Sequence, residues 1–565
     1  MNEQKKLILA VIIAVLILLG FNYFYERPKH EALLQRTAIE RQTETLKPGI
    51  ADIKLPDLAK PILPVEEALK TSVRLKIKTD RLKGSLNLKG CRLDDLMLLD
   101  YHETTDSSSA PITLLSPEGA KGAYFADFGW LSTESGIKLP DSETVWKSSA
   151  QELSQNSPVV LEWDNGEGLT FHRTIAIDDQ YMFTVTDRVA NAKDKTILLS
   201  AYGQINRMET PPLGGYMILH EGPIGVLNGK LTEPTYAKAI EKQALEETTT
   251  GGWLGLTDKY WLVALIPDQK TSVKTVFKGQ TVNGQDRYQT DVVMPTLEVK
   301  PGQSVETIHH LFAGAKILRL LDDYEAKLGF EKFDLAIDFG WFYFLTKPLF
   351  YVLDYLHKLL GNFGLAILAL TVLFKVAFFP LANKSYRSMS HMKKMQPKIE
   401  ALKERYGDDK LRMNQELMAM YKKEKINPLA GCLPMLIQAP VFFCLYKVLF
   451  VTLEMRHAPF YGWIQDLSAP DPTSILNLFG FLPWSTPAFL AIGAWPIIMG
   501  LTMFLQQKLN PQPTDPMQAR MFMLMPIFLT FLLASFPAGL VIYWAWNNIL
   551  SMGQQWMIMR LEEKR

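Results

Sequence analysis

The apolar residues of this 565-residue chain follow three successive patterns. Leu7 to Phe24 is an apolar run with Asn22 as its only strongly polar member, preceded by Lys5-Lys6 and followed by Glu26-Arg27-Pro28, and it is long enough to cross a bilayer. It leaves through Phe21-Asn22-Tyr23-Phe24-Tyr25, an aromatic interface anchor, whereas a cleaved signal peptide has a shorter core and a small-residue exit. An uncleaved signal anchor over residues 1–25 is expected, with cleavage as the alternative. Residues 26–64 mix charges with Pro28, Pro48, Pro56, Pro61 and Pro64 and read as a flexible linker. Alternation then takes over: Val73, Leu75 and Ile77 against Arg74, Lys76 and Lys78, and Tyr181, Phe183 and Val185 against Met182, Thr184 and Thr186. Period two predicts half-buried strands. Further strands are expected at Val159–Trp163, Leu169–Ile177, Thr196–Tyr202, Trp261–Ile266 and Ser272–Phe277, with turns at Asp164-Asn165-Gly166 and Asn283-Gly284. An antiparallel β-sandwich over 65–330 follows, and a helix within Ala313–Gly329 is expected to lead the chain back to the membrane.

Beyond position 340 the pattern changes to long apolar blocks: Gly361–Ala382, Ala430 to about Phe450, Pro487–Leu505, Met521–Ser535 and Ala538–Ile558. Each approaches or reaches the roughly 20 residues of a spanning helix, so residues 361–565 are expected to form a five-span core. The stretch 340–360 is interrupted by Lys347, Pro348, Asp354, His357 and Lys358 and fits an amphipathic helix lying in the interface. Between the second and third spans, residues 384–427 carry twelve Lys or Arg against six Asp or Glu, which places them in the cytoplasm. Two helical arms, Lys384–Tyr406 and Asp409–Lys425, joined at Gly407-Asp408, make this segment a charged cytoplasmic hairpin. Six spans in all bring both termini to the cytoplasm and leave the sandwich outside. The fold class expected is thus an α+β membrane protein with an anchor helix, a large outer sandwich and a helical membrane core.

Composition adds mainly exclusions. The formal charge of +1 leaves no sign of a general nucleic-acid binder. Cys91, Cys432 and Cys444 are too few and scattered for a disulfide framework or a thiolate zinc site. No nucleophile elbow, phosphate loop, zinc helix or calcium loop is present, and adjacent His309-His310 on a strand point to opposite faces. No catalytic residue, metal or cofactor is expected. Leu429-Ala430-Gly431-Cys432 has the residue types of a lipoprotein box but lies too far into the chain to be one.

The candidate functional residues are polar groups inside apolar blocks. Lys375 lies seven residues before Ala382, roughly 10 Å inside the cytoplasmic boundary by helix rise. A charge at that depth costs on the order of 2.5–3.5 kcal/mol, so it faces protein or water, or else snorkels to the headgroups. Thr371 shares its face. In the last block Trp544, Asn547 or Asn548, Ser551 and Gln555 recur at helical spacing, while Gln438 and Gln506 add polar groups in the third and fourth. Together they either line a wet groove or join helices by ordinary hydrogen bonds. Methionines form a second signal: Met389, Met392 and Met395 in the hairpin, and Met499, Met503, Met517, Met521, Met523 and Met525 in the fourth and fifth blocks, suited to varied apolar partners or to core filling. Lys447, near the outer end of the third block, is expected to reach the outer headgroups.

Lys375 to Ile399, with Phe379-Pro380-Leu381-Ala382 and Met395-Gln396-Pro397-Lys398-Ile399, resembles the YidC family of membrane protein insertases. So do Asn427-Pro428 through Gly431-Cys432-Leu433-Pro434, Gln438-Ala439-Pro440 and Phe536-Pro537-Ala538-Gly539-Leu540, a resemblance covering about residue 340 to the end. The anchor and sandwich match the Gram-negative layout of that family, whose outer domain is a supersandwich. The resemblance implies a non-enzymatic insertase and chaperone of the bacterial inner membrane, in which a groove cation receives the hydrophilic part of a nascent client. Lys375 takes that position, where the family more often has arginine, so the charge is kept and the forked donor geometry lost. Thr371 and Trp544 match groove-facing positions by the same resemblance, and the polar residues Gln438, Gln506, Asn547 and Ser551 of the apolar blocks are expected to line the groove with them. Met435, Phe442, Phe443, Met521, Met525 and Phe528 become a hydrophobic slide. Lys393, Lys394, Met395 and Lys398 become the hairpin surface that meets the ribosome and signal recognition machinery. The other implied partners are the Sec translocon, nascent membrane proteins and the lipid bilayer. Two rival readings are a secondary transporter, which would show related halves and paired broken helices, and a periplasmic binding or scaffold protein.

Overall fold

A computed structural model describes residues 62–563 apart from 213–218, 341, 407–408, 425–432, 481, 483, 485–490 and 511–515. The expected anchor and all of the linker before Ile62 lie outside the described residues. From Arg74 to Ala315 the chain folds into two sheets, of eleven and nine described strands. Their pairings are antiparallel except for the short parallel pair Arg74–Lys78 with Glu152–Leu153. The centre of the nine-stranded sheet shows how the pattern becomes structure. Met182–Asn191 pairs along its length with Leu169–Ile177 on one side and Ser304–Ala315 on the other. In Leu169–Ile177 every second residue is buried, as its alternation predicts. Phe171, Phe183, Phe312, Tyr181 and Trp253 are fully buried in the core between the sheets. Each such side chain removes enough apolar surface to contribute on the order of 2–3 kcal/mol.

Charge is also buried in the sandwich, and two of its arginines show how it is compensated. Arg173 is fully buried and grips Asp187 through two hydrogen bonds, Nε to Oδ1 at 2.7 Å and Nη2 to Oδ2 at 3.1 Å. Its guanidinium also lies against Trp146, 5.2 Å from the ring centroid. Buried Arg92 reaches Asp127 at 2.7 Å and Glu118 at 2.5 Å.

Twelve described helices are numbered in chain order. In the sandwich are α1 (Val65–Leu69) and α2 (Tyr236–Lys242). At its foot lies α3 (Leu318–Leu328), closed by left-handed Gly329. The helix expected within Ala313–Gly329 begins at Leu318, and Ala313 to Ala315 complete the last strand. The C-terminal region contains α4 (Tyr343–Leu360), α5 (Phe363–Ala377), α6 (Phe379–Lys394), α7 (Gln396–Tyr406), α8 (Lys410–Lys423), α9 (Leu433–Val451), α10 (Ala494–Leu509), α11 (Pro516–Leu533) and α12 (Ala538–Glu563). No single described helix is both long and apolar enough to cross a membrane. The block expected as one second span is a pair, α5 and α6, bent by 69°. Proline explains the break: Pro380 cannot donate a helical hydrogen bond but suits a first turn, so the chain stops at Phe378 and restarts in a new direction. The first hairpin arm is likewise divided, at Met395, into α6 and α7.

The helix α4 presents Phe344, Val352, Tyr355 and Leu359 outward and buries Leu349, Phe350 and Leu353. Charges at its inner edge are paired. Lys347 bonds Asp322 at 2.8 Å and also Asp334, and Arg319 Nε bonds Asp354 at 2.9 Å. Asp322, Glu325 and Asp334 bring carboxylate oxygens within 4.8 Å of one another, and Lys347 already pairs with two of them. The sandwich and helices meet where Lys447 of α9 bonds Asp338 at 2.8 Å, Arg456 donates to the His102 carbonyl at 2.5 Å, and the Lys259 ammonium sits 3.9 Å over the Phe450 ring. The expectation that Lys447 reaches headgroups is therefore corrected: a carboxylate within reach outcompetes a longer extension into the interface.

Candidate functional site

Asn362 caps α5 by accepting from the Leu365 amide at 3.1 Å and anchors the cap by donating to the Pro459 carbonyl. Thr371 and Lys375 then fall one turn apart on the α5 face turned toward α12. Thr371 is buried and returns its hydroxyl to the Ile367 carbonyl at 2.7 Å. The half-buried Lys375 ammonium donates to Ser551 Oγ at 2.7 Å, and Ser551 in turn donates to the Asn547 carbonyl at 2.7 Å. Among the described residues no carboxylate pairs with Lys375. Trp546 pins α12 to α5 through its indole N–H on the Leu368 carbonyl at 3.2 Å, which holds this geometry in register.

Around the ammonium is a small pocket of about 50 Å³. Thr371, Lys375, Tyr386, Gln438, Tyr543, Asn547 and Gln554 give it polar walls, while Phe374, Phe378, Leu381, Ala382 and Val441 give it apolar ones. Gln438 donates across from α9 to the Tyr543 hydroxyl. The buried Gln554 amide nitrogen has no protein partner among the described residues. A polar space of this size accommodates a few waters, each of which needs several polar neighbours.

The pocket thus brings together Lys375, Thr371, Gln438 and Asn547, with Ser551 on the ammonium. It does not include Trp544 or Gln506. Trp544 turns instead to Phe442, ring centroids 4.7 Å apart, because the inward stripe of α12 runs through Tyr543, Asn547 and Ser551, one residue out of phase with a stripe begun at Trp544. Gln506 is half-buried on α10. Asn548 and Gln555 face that second seam: Asn548 bonds Thr502 at 3.2 Å, and Gln555 bonds the Leu509 carbonyl and Asn510 at 3.3 Å each. Tyr543, Tyr386 and Gln554 were missed by the sequence reading; four-residue counting back from Asn547 identifies Tyr543.

Of the residues expected to form a slide, Phe443, Met521 and Phe528 are exposed, Met525 is half-buried, and Phe442 is half-buried against Trp544 and stacked on Tyr446. Met435 lies on α9 with its side chain outside the described positions. In the hairpin, Lys393, Lys394 and Lys398 are exposed, Lys398 pairing with Glu424 at 3.1 Å. Met395 differs from the expected docking role: it is buried with Ile399 and Tyr421, because two short charged arms have few other apolar groups to join them. Met389 is similarly buried against Tyr386 and Ile558.

Two family models divide the chain. Residues 74–352 match the YidC periplasmic domain, and residues 355–565 match the 60Kd inner membrane protein family. The membrane protein insertase YidC of Methylobacterium nodulans is 49% identical over 99% of this chain and 95% of its own length. That of Granulibacter bethesdensis is 50% identical over 99% and 98%. The chain belongs to the YidC membrane protein insertase family. A crystal structure of an active YidC insertase with its first transmembrane domain resolved covers 88% of this chain and 94% of that one, at 18% identity and a TM-score of 0.35. As a YidC family member the chain is a non-enzymatic insertase of the inner membrane, with a large β-rich periplasmic domain and a helical C-terminal region.

Proposed function

We propose that the pocket at Lys375 is the closed form of a hydrophilic groove, open to cytoplasm and lipid, that receives the polar part of a nascent inner-membrane protein. One observation carries this reading: an ammonium held among apolar helices by a serine hydroxyl, with no carboxylate paired to it among the described residues. Its attraction is left unspent, so an acidic client segment entering from the cytoplasm gains more there than in water. Lys375 draws that segment in, Thr371, Gln438, Asn547 and Ser551 keep it hydrated, and the client's apolar helix partitions into lipid, which supplies the free energy. No nucleotide is consumed.

The space of about 50 Å³ is far smaller than a peptide, so a client must separate the walls. The exposed apolar side chains of α11, among them Met521 and Phe528, are the surface along which the departing helix slides. Residues 1–25 anchor the chain, 26–64 link it to the sandwich of 65–330, 340–360 lie in the interface and 361–565 form five crossings, both termini being cytoplasmic. The hairpin over 384–427, with Lys393, Lys394 and Lys398 outward, meets the ribosome and signal recognition machinery, and the insertase works alone or beside the Sec translocon.

Purified protein in otherwise empty liposomes, given one small client with an acidic translocated tail, tests this reading. Protease protection of the tail without nucleotide is expected. Absence of protection, or ion-driven solute uptake by the same vesicles, would overturn it in favour of a transporter.

A further inference from the structure

The connection between α9 and α10 carries an apolar surface that the pocket does not use. From Pro472 to Gln507 the chain contains no Asp, Glu, Lys, Arg or His. That exceeds the roughly 20 residues a crossing requires, and α10 begins only at Ala494. The charge-free stretch therefore extends well ahead of the helix it feeds. In this forward part Ile475, Leu476, Leu478, Phe479 and Trp484 are 46%, 46%, 54%, 44% and 55% exposed. Single exposed apolar residues need no explanation, but a consecutive group on one loop marks a contact surface.

The loop is built to hold those side chains outward. Leu478 and Phe479 both sit in the left-handed region, at φ 49° and 58°, a conformation unfavourable for residues of their bulk. Local hydrogen bonds fix it: the Phe479 amide to the Ser474 carbonyl at 2.7 Å, the Leu482 amide to the Asn477 carbonyl at 3.0 Å, and the Trp484 indole to the Leu476 carbonyl at 3.1 Å. Its base is tied by buried Asp471, whose carboxylate accepts from the Trp463 indole at 3.0 Å, the Thr473 hydroxyl at 2.7 Å and the Trp495 amide at 2.9 Å. The last of these fastens the loop to the first turn of α10.

Position and surroundings name the occupant. Arg456, in the same connection, donates to the His102 carbonyl of the sandwich, so the connection lies on the periplasmic side. Tyr461 and Trp463 are 62% and 44% exposed beside it, and such amphipathic rings favour the headgroup level of a bilayer. Along α10 the exposed Ile498, Leu501, Phe504 and Leu505 carry the apolar surface onward without a charge to interrupt it. We propose that Ile475, Leu476, Leu478, Phe479 and Trp484 form a wedge seated in the boundary between headgroups and acyl chains of the periplasmic leaflet, fixing the height of α10 in the bilayer. The ligand is the lipid surface itself: the patch has no charge with which to select a peptide. This holds whether or not the pocket at Lys375 receives clients.

The test is nitroxide labelling at Phe479→Cys and, separately, Leu476→Cys. The full chain has its three native cysteines replaced by serine and is reconstituted in phosphatidylethanolamine and phosphatidylglycerol vesicles. Power saturation compares access of oxygen with access of a water-soluble nickel chelate, with Leu501→Cys as lipid-facing control and exposed Gln465→Cys as water-facing control. At either position, oxygen access several-fold above nickel access, as at Leu501, is expected. A nickel-dominated response at both positions, as at Gln465, would overturn the proposal. So would exclusion of both reagents with an immobilised spectrum, which would mean that protein covers the patch.

Discussion

The sandwich and the helical region each bury a cation, and they treat it in opposite ways. Arg173 has its countercharge in Asp187, two hydrogen bonds to it and an aromatic wall behind it. Lys375 has one serine hydroxyl. A paired charge is part of the core, since its field is largely cancelled within a few ångströms. An ammonium with no carboxylate paired to it among the described residues keeps its field available, and the polar groups of its pocket, Thr371, Gln438 and Asn547 among them, make it tolerable. Lys316 stands between these cases. It is buried at the foot of the sandwich and donates to the Thr257 hydroxyl at 2.9 Å, with Asp258, Asp338, Glu221 and Glu233 near but not bonded to its ammonium among the described contacts. Burial pulls its pKa down to about 8, against which those carboxylates push it up.

Arg173→Met strands Asp187 and should cost about 3–5 kcal/mol of sandwich stability, whereas Arg173→Met with Asp187→Leu should regain most of that. Denaturant midpoints of the two variants decide it; a single variant as stable as the parent would show that the pair is not structural. Lys316 gives a pH signature. Its folded pKa lies below the ordinary 10.5, so between about pH 8 and 10.5 the unfolded chain holds a proton that the folded chain has lost. Stability contributed through this group therefore rises with pH across that window, by up to about 1.4 kcal/mol per unit. Lys316→Met should abolish the rise, and an unchanged slope in thermal melts at successive pH values would remove Lys316 from the comparison. Lys375→Met should leave stability unchanged or slightly raised while lowering client insertion at least tenfold, about 1.4 kcal/mol. Equal losses of stability and insertion would make it a structural lysine. Ser551→Ala is the smallest, about two- to threefold in insertion, because water can replace a hydroxyl that only positions the ammonium.

Legibility of the chain divided along the same line. Leu169–Ile177 and Trp261–Ile266 have the bounds that alternation gave, since all their buried residues except Arg173 are apolar. Arg92–His102 escaped notice because its buried positions include Arg92, Asp94 and Asp95, charges whose partners, Asp127, Arg74 and Ser85, lie on other strands and leave no trace within the segment itself. In the helical region Lys375, Thr371 and Asn547 stood out as polar residues in apolar blocks. The phase of the α12 stripe did not, because Tyr543 and Trp544 are both amphipathic and only packing against α5 and α9 selects between them. The bend after Phe378 had a signal in Pro380, overridden by the apolar composition on both sides. Met389 and Met395 show the limit of residue type: a methionine reads equally as a free surface or as one of the few apolar fillers between charged helices.

If the charge of Lys375 selects the client, exchanging that charge must exchange the preference. Insertion of two clients differing only in an acidic or a basic translocated tail would be measured with the parent, Lys375→Arg and Lys375→Glu proteins in the same liposomes. Lys375→Arg should insert the acidic-tailed client within about threefold of the parent, while Lys375→Glu should lose it at least tenfold and favour the basic-tailed one. Insertion of the acidic-tailed client by Lys375→Glu at the parental rate would contradict the account.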